Sequence, residues 1–170
     1  MPNETINCFD PIVDGNTKVV ILGTLPGIES IIAGEYYKNS RNCFWRIMYA
    51  LFDETITNDY AEKCSFLLRH EIGIWDVLDS ATREGNDDLN IANPTVNDFT
   101  AFFKKYPSIK GIIFNGKKAE KIFKRYLPDL FSEVRHKTVL SSSGAAARTF
   151  DVKLENWKNA TSILLEDEKN

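Results

Sequence analysis

Ten consecutive residues, Tyr36-Tyr37-Lys38-Asn39-Ser40-Arg41-Asn42-Cys43-Phe44-Trp45, hold four aromatics, two cations and two amides. Aromatic rings beside Arg and Lys suit stacking on bases and contact with phosphates. Trp45, and with it Phe44, also reads as the core face of a following helix. Tyr37 and Asn42 are explained less well that way. Three further stretches are candidates. Gly23-Thr24-Leu25-Pro26-Gly27 lets the backbone turn sharply and approach a ligand, although an ordinary strand-to-helix turn looks the same. It lacks both the G-x-G-x-x-G spacing and a Gly-Lys-Ser/Thr end, so dinucleotide and P-loop readings are weak. In Phe114-Asn115-Gly116 the Asn either caps the next helix or reads a ring edge bearing a carbonyl beside an N–H. Ser141-Ser142-Ser143-Gly144-Ala145-Ala146-Ala147 has little bulk and many hydroxyls, as a mobile surface loop or a phosphate-donating loop would. No His is placed in sequence as an obvious base for these serines, so a serine hydrolase is disfavoured.

Elements that could position these groups follow from the patterning. Lys18–Leu22, ended by Gly23, reads as a buried strand, as do Lys110–Phe114 and Lys137–Leu140. Gly73–Leu78 reads as a strand or extended loop. Helical spacing marks Asn42–Phe52, Tyr60–Arg69 (capped by Asn58 or Thr57), Asn97–Tyr106, Gly116–Tyr126 and Leu154–Leu165. Thr82–Pro94, rich in Asn, Asp and Gly, reads as a loop. Strands alternating with helices predict an α/β fold with a largely parallel sheet, and in such folds ligands bind at the carboxyl ends of the strands. That gathers Gly23–Gly27, Asn115–Lys117 and Ser141–Ala147 at one site.

The chain of 170 residues is 43% hydrophobic and 26% charged, enough to bury a core as one domain over residues 1–170. Its longest apolar runs are far short of the roughly 20 residues a membrane span needs, and its start has no basic and apolar segments of a secretory signal. Three scattered cysteines argue against a disulfide scaffold and for a reducing, cytoplasmic setting. Two histidines leave a zinc site short of ligands, so no metal and no cofactor are expected. The net charge of −3 conceals an asymmetry: Lys104–Lys137 carries a balance of +7 and Asp53–Asp98 one of −8. The basic third is either a solvated helix face or a phosphate-facing surface.

Taken in order, Ile21-Leu22-Gly23-Thr24-Leu25-Pro26-Gly27, Tyr36-Tyr37 through Asn42-Cys43-Phe44-Trp45, Gly73-Ile74-Trp75-Asp76-Val77-Leu78, Ile113 to Ala119 and Leu140 to Ala147 resemble the uracil-DNA glycosylase superfamily. The branch they are most similar to is that of the hypoxanthine-DNA (deoxyinosine) glycosylases, relatives of the mismatch-specific uracil glycosylases. No one motif is specific; the ordered set is. The resemblance implies a three-layer αβα sandwich around a four-stranded, mainly parallel sheet. It implies hydrolysis of the N-glycosidic bond of a deaminated base flipped from double-stranded DNA, by a monomer without a metal. Thr24 stands where many members carry a water-orienting Asp or Asn, which passes that role to Asn42, with Asn39 as its neighbour. By the same resemblance Tyr37 stacks on the flipped base and Asn115 reads it, with Gly23, Thr24, Leu25, Pro26 and Gly27 around them. Arg41, Lys117, Lys118, Ser141, Ser142, Ser143, Gly144 and Arg148 face the DNA. Two departures stand out: Ser40 replaces a Pro, and Leu140-Ser141-Ser142-Ser143-Gly144-Ala145 replaces Leu-Pro-Ser-Thr-Ser-Pro. Ala145–Ala147 supplies no bulky wedge, which leaves Arg148 or a backbone segment for that task. Two rival readings remain from the sequence: a non-catalytic nucleotide or nucleic-acid binding protein on the same scaffold, and an enzyme of free nucleosides. The basic stretch favours DNA over a free nucleoside, which has no phosphate to neutralise.

Overall fold

The computed structural model describes residues 4–84, 90–144 and 148–166. Its centre is a four-stranded parallel sheet of β2 (Val19–Gly23), β3 (Ile72–Asp76), β6 (Gly111–Asn115) and β7 (Arg135–Val139), in the order β3-β2-β6-β7. β2 is buried along its whole length, which is why its sequence is a continuous apolar run. Alternate residues feed two cores. Val19 and Ile21 pack with α2 (Phe44–Leu51), α3 (Tyr60–Arg69) and α7 (Phe150–Glu166). Val20 and Leu22 pack with α4 (Phe99–Lys105) and α5 (Lys117–Tyr126). The three-layer αβα sandwich is therefore present, with Trp157 and Phe44 fully buried in one core and Phe99, Phe114 and Phe123 in the other.

Several readings of the sequence are corrected. Thr82–Pro94 is not a loop throughout: β4 (Leu78–Arg83) and β5 (Ala92–Val96) pair antiparallel, and with β1 (Glu4–Asn7) they make a second, three-stranded sheet. These strands are half exposed and polar on one face, so the apolar signal that reveals a buried strand is missing. The cap of α3 is Asp59, whose carboxylate accepts from the N–H groups of Ala61 and Glu62; Thr57 instead accepts from the Asp59 N–H. Two six-residue helices, α1 (Ile28–Ala33) and α6 (Pro128–Glu133), are too short to show a periodicity. Residues 145–147 of the small-residue loop lie outside the described residues. Among the described residues, no helix is long and apolar enough to cross a membrane.

Candidate functional site

At the carboxyl ends of the parallel strands lies a cavity of about 330 Å³, within the size range of small-molecule pockets. β2 contributes Gly23 and the turn to Gly27. β3 contributes its last residue, Asp76; β6 contributes Asn115; the segment after β7 contributes Ser141 to Gly144. Tyr36, Tyr37, Asn39, Arg41 and Asn42 form another wall. Of the residues singled out in the sequence, Gly23–Gly27, Tyr37, Arg41, Asn42, Asn115 and Ser141–Gly144 are brought together here. Lys117, Lys118 and Arg148 are exposed and do not line the cavity.

The Tyr-Tyr pair is fixed from below. The Tyr36 hydroxyl donates to the Asp10 carbonyl at 2.8 Å, its carbonyl accepts from Trp45 Nε1, and its N–H donates to the Tyr60 hydroxyl. The chain then turns so tightly that Tyr37 adopts φ 56°, a left-handed conformation that costs a bulky residue about 1–3 kcal/mol. The turn sets the Tyr37 ring against Phe44, centroids 4.0 Å apart and planes 22° from parallel. One face of the ring is thus covered by the core, and the ring lines the cavity.

Gly23 explains what sits at the cavity floor. A Cβ there would lie 2.9 Å from Asp76 Oδ1 and 3.2 Å from the Tyr37 hydroxyl, so the carboxylate and the phenol converge over this glycine. Asp76 is 4% exposed. Burial, and then the negative charge of Asp76, push the Tyr37 phenol above its ordinary range. At neutral pH it is therefore a hydroxyl, a hydrogen-bond donor, beside the carboxyl group of Asp76.

Asn115 proves to be a clamp between loops. Its Oδ1 accepts from the Ser142 N–H at 3.0 Å; its Nδ2 donates to Ser142 Oγ at 2.9 Å and more weakly to the Tyr37 hydroxyl at 3.4 Å. The helix-cap reading is corrected: the cap of α5 is Gly116, which has no side chain. Ser142, fully buried, also accepts from the Cys43 N–H at 3.0 Å and from its thiol through its own carbonyl. One residue after β7, Leu140 is pinned at both backbone groups, by Asn156 Oδ1 and by Trp157 Nε1. The serine loop thus leaves a fixed point and is tied to two neighbouring walls.

Asn42 is half buried on the cavity wall. Its backbone N–H donates to the Asn39 carbonyl, and its Oδ1 accepts at 3.0 Å from the N–H of Phe44, the first residue of α2. One carbonyl lone pair and the NH₂ group are not engaged by any described residue. Asn39 uses its own Oδ1 to accept from the Arg41 N–H.

Sequence reasoning gave no role to Asp76 or Arg83, both buried and both on the cavity. Arg83 donates to the Pro26 carbonyl at 2.6 Å and so braces the glycine turn. Asp76 left a signal: it is the lone charge in the apolar stretch Gly73–Leu78. Arg83 left none, because its strand is part of the small sheet. Among the described residues, no three His, Cys, Asp or Glu side chains cluster as metal ligands.

Residues 11–162 match the family model of the uracil DNA glycosylase superfamily. The chain belongs to that superfamily. Its reaction class is that of a DNA glycosylase. Two relatives named hypoxanthine DNA glycosylase are each 36% identical to it. The one from Methanosarcina barkeri aligns over 89% of this chain and 95% of its own, and the one from Methanosarcina acetivorans over 88% and 94%. The fold is similar to the solution NMR structure of a Methanosarcina acetivorans protein provisionally designated a uracil DNA glycosylase. That likeness has a TM-score of 0.82 and 32% identity, and it covers 95% of this chain and 99% of the other.

Proposed function

We propose that this glycosylase acts on deaminated bases flipped from double-stranded DNA, hypoxanthine first and uracil second. The observation that carries the reading is the cavity floor, where a hydroxyl donor (Tyr37) stands beside a carboxylate acceptor (Asp76). A lactam edge complements that pair: its carbonyl accepts from the hydroxyl and its ring N–H donates to the carboxylate. Hypoxanthine and uracil both present such an edge. Adenine and cytosine place an unprotonated ring nitrogen against the carboxylate, lone pair against negative charge. Guanine shares the edge but carries a further amino group, and in a normal pair it is harder to flip. The Tyr37 ring is held against Phe44, which fixes the position of its hydroxyl. The preference for hypoxanthine over uracil is supported by the names of the two relatives.

In this reading Asn42 holds the attacking water through its remaining carbonyl lone pair. Its tie to the Phe44 N–H keeps that lone pair aimed. Asn42 is no base, so its contribution is orientation, which can supply several kcal/mol. The water oxygen bonds to C1′ and the C1′–N bond breaks with its electron pair on the base. The water gives up one proton, the base takes up one, and an abasic site remains. The test is to incubate purified protein with duplexes carrying deoxyinosine, deoxyuridine or deoxyxanthosine and to measure abasic sites. Fastest release from deoxyinosine is expected. Tight binding without release of any base would refute the reading.

A further inference from the structure

Lys153, the fourth residue of α7, is 4% exposed, and its ammonium donates to the Ser143 carbonyl at 3.0 Å. No carboxylate among the described residues lies within ion-pair distance of it. It also sits in the first turn of a helix, the end where the macrodipole disfavours a cation. Among the described residues this buried ammonium meets one neutral acceptor, an arrangement that a negative charge brought near it would stabilise.

The Ser143 carbonyl belongs to the peptide whose N–H is that of Gly144. In a planar trans peptide these two groups point in opposite directions. An ammonium on the carbonyl therefore polarises an N–H directed away from it. Gly144 is exposed on the cavity rim, and its N–H meets no acceptor among the described residues. A Cβ at Gly144 would lie 2.5 Å from the Arg41 Cβ and 2.9 Å from the Arg41 carbonyl, so the loop backbone presses directly on Arg41. The exposed Arg41 side chain and the polarised Gly144 N–H thus share one stretch of rim.

We propose that Lys153 is a positioning residue for one phosphate of the DNA backbone, which is seated by the Gly144 N–H and the Arg41 guanidinium. The phosphate supplies a counter-charge to the ammonium through the Ser143–Gly144 peptide. The proposal rests on the reading of DNA as the substrate.

Duplex affinity is measured between about 50 and 200 mM salt, on a deoxyinosine analogue resistant to cleavage. The variants are Lys153→Gln, Arg41→Gln, their combination and Lys153→Arg. Gln at 153 retains a donor for the Ser143 carbonyl without the charge. Each single Gln variant is expected to lower the salt slope by about 0.9, the value of one phosphate, with roughly tenfold weaker binding. The double variant should fall no further in slope, because both groups serve the same phosphate. Lys153→Arg should restore the slope. Lys153→Gln with wild-type slope and affinity would overturn the proposal, as would slopes that add in the double variant. A scan of duplexes with single neutral methylphosphonates provides an independent check. The phosphate whose neutralisation weakens wild type, but not Arg41→Gln, must be the one lost to Lys153→Gln. Should Lys153→Gln lose cooperative melting, Lys153→Met takes its place as the uncharged variant, and it must lose that phosphate and no other. Wild-type protein that binds duplex but releases no base would refute the glycosylase substrate reading and leave this proposal intact.

Discussion

Replacing Asn115 by Ala removes the group that ties three walls of the cavity. Two sound hydrogen bonds to Ser142 and one long bond to the Tyr37 hydroxyl are lost. A typical net value is about 0.5–1.5 kcal/mol per bond, and a buried donor left unpaired adds about 1–3 kcal/mol. Ser142 is fully buried, so its N–H has no water to turn to. The total is about 3 kcal/mol, which for a chain of this size lowers Tm by roughly 6–12 °C. Loosening the clamp also frees the Tyr37 ring and the serine loop together. Release of hypoxanthine and uracil should then fall in parallel, without a swap of preference. Differential scanning calorimetry and single-turnover assays on both substrates read the two effects. Ser142→Ala serves as the control, losing the side-chain bond but keeping the N–H bond, and should give about one third of the Tm loss. An Asn115→Ala protein with unchanged Tm that loses only one of the two activities would refute the clamp and return Asn115 to the role of base reader.

Asp76→Ala removes the acceptor for the ring N–H; a hydrogen bond to a charged group is worth about 1.5–3 kcal/mol, so base release from deoxyinosine should slow by roughly ten- to a hundredfold in single-turnover kinetics. Stability should decline as pH rises above about 10, the ordinary tyrosine value: burial raises Tyr36, Tyr37 and Tyr60 in the folded chain, so the unfolded chain ionises first. Each contributes up to about 1.4 kcal/mol per pH unit in that window, and urea titrations at stepped alkaline pH will show the slope. Removing the charges of Lys117 and Lys118, which are off the cavity, should change the salt dependence of duplex binding less than Arg41→Gln does; an equal or larger change would move the principal DNA contact to α5.

The sheet and its two cores were legible because β2, β6 and the main helices carry buried faces whose period survives in the sequence. The convergence of Gly23–Gly27, Asn115 and Ser141–Gly144 followed from the rule that parallel strands present their ligands at the carboxyl ends. The small sheet was not legible, since Thr82 and Ala92–Val96 pair at a surface where polar residues are as well suited as apolar ones. The ties that Asn115 makes to the protein were hidden for a different reason. An amide at a strand end has four hydrogen-bonding positions, and which of them face the protein depends on Ser142, a residue 27 positions away. Asp76 and Lys153 escaped for the same cause: a buried charge acquires its meaning from neighbours that only the fold supplies.

The central claim is that this cavity receives a deaminated base and that Asn42 holds the water that attacks its sugar. Single-turnover release of free hypoxanthine from a deoxyinosine duplex, with duplex affinity measured alongside, tests it most directly in wild type and Asn42→Ala. Wild type should release hypoxanthine and leave one abasic site per base; Asn42→Ala should be slower by about a hundredfold or more, as expected for lost orientation, with affinity within twofold of wild type, because the change removes water positioning and no charge that a phosphate would meet. No release by wild type, or release by Asn42→Ala at the wild-type rate, would contradict the account.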